Sequence, residues 1–239
     1  MTIKTKLISL SKALSGNDEM QWILAERAAK FFNRNAILGE HNKIWRVDGE
    51  FSAEIRKLPS NDRQLERLYV IEQMAKYCNN LKGDYAECGT YLGSSAFFLA
   101  KHAPQDVFLF DSWEGLSEPS NFDSDYWNKG DLNSNLDTAQ ENLKDFTNIQ
   151  FFKGWIPTRF IEVAHRSFAL VHIDVDIYQP TKDTLEFFWD RILPGGVIIC
   201  DDYGFANCAG AKKAFDDFFD SVSRVISLPT GQALVIKRD

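Results

Sequence analysis

From Tyr85 onward, short apolar runs alternate with stretches whose apolar residues recur at three- and four-residue steps, the pattern of strands followed by helices. The strand-like runs are DYAECG (84–89), VFLFDS (107–112), IQFFKG (149–154), FALVHIDV (168–175) and GVIICDD (196–202). Helices are predicted over Ser94 to His102, Leu132 to Phe146, Pro157 to Ala164, Thr181 to Ile192 and Ala209 to Val222. In the fourth of these, Leu185, Phe188 and Ile192 form a core-facing stripe. Apolar strands alternating with helices mean a parallel sheet covered on both faces. Two further strands, RVISLP (224–229) and ALVIKR (233–238), are joined by Thr230, Gly231 and Gln232. So short a turn makes them antiparallel, with the last strand inserted beside a parallel neighbour. The expected fold is α/β, with a mostly parallel seven-stranded sheet and an antiparallel last strand.

Residues 1–62 have a different pattern. EMQWILAERAAKFFNRNAIL and, just beyond it, RQLERLYVIEQMAKYC are amphipathic around a polar, less regular 39–62. The second leads into the first strand, so the chain divides into an N-terminal helical extension, 1–62, and a main domain, 63–239. The extension is expected to cover the active edge of the sheet or to form a contact in a homo-oligomer, a dimer or larger. Residues 113–131, WEGLSEPSNFDSDYWNKGD, are one long irregular connection. Loops of that length in compact domains are binding loops, lids or disordered segments, and Trp113, Phe122, Tyr126 and Trp127 argue for an ordered one.

Composition narrows the partners. The 239 residues carry a formal net charge of -7 and no Lys/Arg stripe, which argues against nucleic acid and for a small molecule. Cys78, Cys88, Cys200 and Cys208 are irregularly spaced, fitting neither a disulfide framework nor a CxxC zinc site. With no apolar leader and no run of eighteen apolar residues, a cytoplasmic protein without a membrane partner is expected.

Candidate chemistry gathers where the strand runs end. ECGTYLGSS (87–95) follows the first strand and opens a helix; Gly89 and Gly93 let backbone approach a ligand at a helix N-terminus. The spacing is not G-x-G-x-x-G, and two glycines there also serve simple packing. Asp111, 22 residues after Gly89, can accept hydrogen bonds from ribose hydroxyls or cap a turn. Glu87 is a carboxylate in an apolar run and needs partners. Trp155 can stack on a purine or pack between sheet and helix.

The sharpest feature is HIDVDIYQPT (172–181). Asp174 and Asp176 end one apolar run and, if it stays a strand, point to the same side; Asp201 and Asp202 end another. If those two strands are neighbours, roughly 4.8 Å apart, all four acids converge on one edge, where open α/β sheets bind ligands. Mg2+, held by oxygen ligands alone, would relieve their repulsion. The alternatives are helix capping or pairing with Arg159, Lys182 or Lys212. His172 shares the side of Asp174 and is either a base or a hydrogen-bonded core residue.

AECGTYLGSSA, FLFDSWEGL, FFKGW, HIDVDIYQPTKDTLEFF and LPGGVIICDDYG, in that order and spacing, resemble the macrocin O-methyltransferase (TylF/MycF-type) family over about residues 62–239. That resemblance implies the three-layer, Rossmann-like class I methyltransferase fold and S-adenosyl-L-methionine as cofactor. It places the methionine part of the cofactor at Glu87, Gly89, Thr90, Tyr91, Gly93, Ser94 and Ser95, its ribose at Asp111 and Ser112, and its adenine at Trp155. It also implies Mg2+ at Asp174, Asp201 and Asp202, with Asp176 nearby, and a hydroxylated small molecule, such as a natural-product sugar, as acceptor. Asp174, itself beside the cofactor, and His172 are the candidates to take the acceptor proton. Two other readings are a glycosyltransferase using Asp174-Val175-Asp176 as a DxD motif, and a cofactor-binding homologue without activity.

Overall fold

The computed structural model describes Leu14 and residues 18–32, 49–59, 64–219 and 224–238. The chain forms two compact units, Met1–Glu54 and Ile55–Asp239. The first contains helix α1, Asp18–Phe32; helix α2, Gly49–Ile55, lies across the boundary, within the stretch that the sequence marks as irregular. The expected continuation of α1 to residue 38 lies outside the described residues.

The second unit begins with α3, Leu65–Cys78, and then alternates β1 (Asp84–Cys88), α4 (Ser94–His102), β2 (Val107–Asp111), α5 (Leu136–Asn142), β3 (Ile149–Lys153), β4 (Phe168–Ile173), α6 (Tyr178–Phe188), β5 (Ile192–Cys200), α7 (Ala209–Phe219), β6 (Ile226–Ser227) and β7 (Ala233–Ile236). The sheet order is β3-β2-β1-β4-β5-β7-β6. The first five strands are parallel and β7 runs antiparallel between β5 and β6, as the short Thr230–Gln232 connection requires. Neighbouring strand ends at β1, β4 and β2 therefore reach one carboxyl edge.

Alternation along the strands sorts the core. Ala86, Cys88, Phe108, Phe110, Val171, Ile173, Ile198 and Cys200 join Leu185, Phe188, Phe215 and Phe219 in one buried cluster with α6 and α7. Tyr85 points the other way, donating its hydroxyl to the Ala75 carbonyl of α3 at 2.6 Å. By the same period of two, Glu87 and His172, which are register partners, lie on the α3 side.

Several element ends differ from expectation. The α5 helix starts at Leu136 rather than Leu132, because Leu132 has φ +60° and Asn135 caps the helix by accepting the Asp137 N–H at 2.8 Å. Phe160–Val163 is a single 3-10 turn, not a helix from Pro157. The α6 helix runs from Tyr178 to Phe188, and Ile192 belongs to β5, which begins four residues earlier than the predicted Gly196 because an irregularity in its pairing with β4 absorbs Leu193–Gly196.

Candidate active site

The glycine loop after β1 is built by close approach. Gly89 has φ +89°, and a Cβ there would lie 1.7 Å from the Asp174 carbonyl oxygen, so only glycine lets the loop pass the end of β4. Gly93 (φ +91°) precedes α4 as its N-cap. Asp111, at the end of β2, holds this loop: its Oδ2 accepts the N–H groups of Thr90 (2.8 Å) and Tyr91 (2.9 Å), and its Oδ1 accepts that of Trp113 (2.6 Å). Three buried polar atoms around it, Glu87 Oε2, Thr90 Oγ1 and Ser94 Oγ, have no hydrogen-bond partner. Buried polar atoms are costly to leave unpaired, and the amino-acid end of a nucleoside cofactor carries groups that pair with them.

The other half of the edge is a crowd of side chains. His172, wholly buried, bridges Glu87 Oε1 through Nδ1 (3.0 Å) and Asp201 Oδ1 through Nε2 (3.3 Å). Asp201 also accepts from the Gln232 amide at 2.7 Å and from Arg67 Nη1 of α3. His172, Asp174 and Asp201 each offer a ligand atom within 4.8 Å of the others; Asp176, Asp202 and Cys208 form a second such trio. The Asp176 N–H donates to Asp202 Oδ2 at 2.8 Å, and the Cys208 thiol lies 3.6 Å from Asp176 Oδ1.

Asp174 and Asp176 therefore do not share one side as expected. The strand ends at Ile173, not Val175, and Asp176 adopts φ +60°, turning its carboxylate to the second trio. Consecutive Asp201 and Asp202 divide likewise, as successive side chains at a strand end do.

The electrostatics are uneven. Burial, then the charges of Asp201 and Asp202, holds the Asp174 carboxyl well above its usual range; burial, then Asp176, does so for Asp202. Burial and Asp174 push Asp176 up to about 7. Asp201 is lowered in spite of burial, because His172, Arg67 and Gln232 face it. His172 is raised to about 10: burial opposes its charge, but the hydrogen bonds to Asp201 and Glu87 prevail. None of the three cations named from sequence reaches the acids: Arg159 pairs with Glu162, Lys182 with Glu186 and Lys212 with Asp216. Arg67 takes that place, and the sequence shows it only as one charge on an amphipathic helix.

A cavity of about 360 Å3 lies over both halves. Gly89, Tyr91, Asp111, Ser112, Trp155, Asp174, Asp176 and Asp202 form part of its wall; Glu87, Thr90, Gly93, Ser94, Ser95, His172 and Asp201 do not. Sequence reading missed Gln64, Arg67, Phe205, Asn207 and Cys208, which also line the cavity. Trp127 reaches it from the long loop, whose neck is closed by Leu116 N–H to Asp131 O (2.8 Å) and Gly130 N–H to Leu116 O (2.9 Å). The loop tip is tied down by Asp123, which accepts from Ser120 and from the Tyr178 N–H that opens α6, both at 2.7 Å. The 113–131 segment is thus an ordered loop. All four cysteines are buried and free, and no helix among the described residues is long and apolar enough to cross a membrane.

The sequence profile of the macrocin-O-methyltransferase (TylF) family matches residues 60–225. The chain is 28% identical over 192 residues to the 8-demethyl-8-(2,3-dimethoxy-alpha-L-rhamnosyl)-tetracenomycin-C 4'-O-methyltransferase of Streptomyces olivaceus, covering 69% of this chain and 73% of that protein. It is 27% identical over 206 residues to the demethyldecarbamoylnovobiocin O-methyltransferase of Streptomyces niveus, covering 75% and 77%. Among solved structures, the calicheamicin methyltransferase CalS11 superposes with a TM-score of 0.65 at 16% identity, covering 85% of this chain and all of that one. The O-methyltransferase NovP does so with 0.62 at 20% identity, covering 73% and 81%. These structures share the fold, a class I methyltransferase sheet with its antiparallel last strand.

Proposed function

The chain belongs to the macrocin O-methyltransferase family of S-adenosylmethionine-dependent enzymes, and on that premise we propose that it methylates a hydroxyl of a sugar or related natural-product acceptor with the assistance of Mg2+. One observation carries the reading: a single cavity is walled both by the glycine loop with Asp111 and by the carboxylates Asp174, Asp176 and Asp202. The glycosyltransferase reading of Asp174-Val175-Asp176 leaves the glycine loop and Asp111, which wall the same cavity, without a role.

The Gly89–Ser95 segment would hold the methionyl end of the cofactor, where the unpartnered Glu87, Thr90 and Ser94 atoms lie, and Asp111 with Ser112 the ribose. Trp155, with about a third of its surface exposed at the cavity, offers a face for adenine. Asp174, Asp202 and Asp176 supply hard oxygen donors for Mg2+, with Asp201 at the same edge. Bound there, the ion would lower the pKa of an acceptor hydroxyl. Asp174, which lines the cavity, would take that proton as the oxygen attacks the sulfonium methyl and the sulfur leaves as a neutral thioether. His172 is a positioning residue that orients Asp201 and Glu87.

The rhamnosyl-bearing compound in the name of the Streptomyces olivaceus relative supports the acceptor class. The test is calorimetric titration of S-adenosylhomocysteine, then Mg2+, into the wild type and Asp174→Asn. The nucleoside should bind both proteins within a few-fold, Mg2+ should bind only the wild type, and turnover of a hydroxylated acceptor should be lost in the variant. Full activity of Asp174→Asn would remove its assigned role, and failure of the nucleoside to bind would remove the cofactor site.

A further inference from the structure

Arg67 is the one Lys or Arg side chain in the cavity wall among the described residues. It projects from the first turn of α3 and meets the acidic edge from the side opposite α6 and α7. Its guanidinium donates to Asp201 Oδ2 and lies 5.0 Å from the Phe205 ring centroid. The Gln232 amide ties the pair together, donating to Asp201 Oδ1 at 2.7 Å and to the Arg67 carbonyl at 3.3 Å. Gln232 is itself fully buried in the β6–β7 turn.

This arrangement fills Asp201 before any metal arrives. Oδ2 is taken by Arg67, and Oδ1 is shared by Gln232 and His172. The charge of Arg67 is held up, against its burial, by Asp201 first and then by Asp174, Asp202 and Asp176. A planar guanidinium suits a buried carboxylate better than an ammonium does, and it brings a fixed positive charge to the place where a divalent cation would sit.

We infer that Arg67 is the resident counter-ion of the acidic edge and competes with the divalent cation for Asp201. The inference rests on the metal-assisted reading above. Arg67 keeps the four acids together without metal, and for the same reason it weakens metal binding, because a cation entering beside it is repelled. For Asp201 to become a ligand, the guanidinium must leave Oδ2. Metal entry is thereby coupled to movement of the Arg67 side chain, which lines the cavity one turn from Gln64, the N-cap of α3.

The experiment uses Mn2+ as the probe, with binding read by electron paramagnetic resonance of the free ion and by calorimetry, S-adenosylhomocysteine present throughout. Wild type, Arg67→Gln, Arg67→Lys and Asp174→Asn are compared in the full chain. Removing the competing charge should tighten Mn2+ binding by about tenfold or more in Arg67→Gln. The ion should also raise the melting temperature of Arg67→Gln more than that of the wild type. Where Arg67→Gln does not fold, Arg67→Lys carries the test, with a smaller gain in the same direction, since a flexible ammonium holds the carboxylate less firmly than the planar guanidinium. Equal or weaker Mn2+ binding in the Arg67 variants, with the wild type binding normally, overturns the role of Arg67 and leaves the metal reading intact. If no variant binds Mn2+ while all bind the nucleoside, both fall. Mn2+ binding that persists in Asp174→Asn places the ion elsewhere and likewise overturns the inference.

Discussion

The two halves of the carboxyl edge solve the same problem, placing negative charge in a buried position, by different means. In the β1–β2 half a lone carboxylate, Asp111, accepts three backbone N–H groups and is satisfied by local chain geometry. In the β4–β5 half Asp174, Asp176, Asp201 and Asp202 crowd together, and only Asp201 has a full set of partners, drawn from His172, Gln232 and Arg67 on three distant parts of the chain. Backbone geometry fixes a shape that does not depend on what is bound. A cluster of charges instead depends on whichever cation is present. The first half is therefore suited to hold a cofactor of constant shape, and the second to change state when an ion or acceptor enters.

The halves meet at Gly89, and the largest effect is expected there. Gly89→Ala would place its Cβ 1.7 Å from the Asp174 carbonyl oxygen at a φ of +89°, so both backbones must move. A loss of about 3 kcal/mol or more in unfolding free energy is expected, together with loss of both nucleoside and metal binding. Urea denaturation with calorimetry checks it, and loss of one ligand alone would show that the halves are less tightly joined than their geometry indicates.

Asp111→Ala comes next and acts on one half only. It removes the acceptor for the N–H groups of Thr90, Tyr91 and Trp113 as well as a wall of the cavity. S-adenosylhomocysteine binding should weaken by roughly 1.5–3 kcal/mol, as for a lost charge-assisted hydrogen bond, while Mn2+ affinity stays within a few-fold. An unchanged nucleoside affinity would remove Asp111 from the cofactor site.

These expectations also mark what the chain discloses before it is folded. The apolar runs and the glycine loop lie close in sequence, and their alternation with helices implies a mostly parallel sheet whose carboxyl edge carries Asp111, Asp174 and Asp201; the order of the strands comes from the fold. What the pattern could not give is where a strand stops. Period-two reasoning carried past Ile173 puts Asp176 on the side of Asp174, but one residue with positive φ sends it to Cys208. Partners across the sheet were equally hidden: Arg67 and Gln232 are 134 and 31 residues from Asp201, and nothing in their neighbourhoods sets them apart. Asp123 looks like any turn residue, yet it seats against Gly210, where a Cβ would come within 1.8 Å of its oxygen. Local chemistry was legible because it is written in adjacent residues, whereas pairing between distant residues depends on packing.

The smallest effect sharpens the comparison at the far side of the cofactor half. Trp155 follows β3, and its ring is 36% exposed beside the cavity. A ring so placed contributes little to the core, and its truncation should leave the unfolding midpoint nearly unchanged. If its face receives adenine, Trp155→Ala should weaken nucleoside binding by about 0.5–1.5 kcal/mol, the worth of one stacking contact beyond area burial, and Trp155→Phe should recover most of it. Metal affinity should not respond, since the acids lie on the other half. Equal affinities for all three proteins would assign adenine to another part of the wall, where Ile156, Leu116 and Leu132 are among the apolar side chains available to receive it.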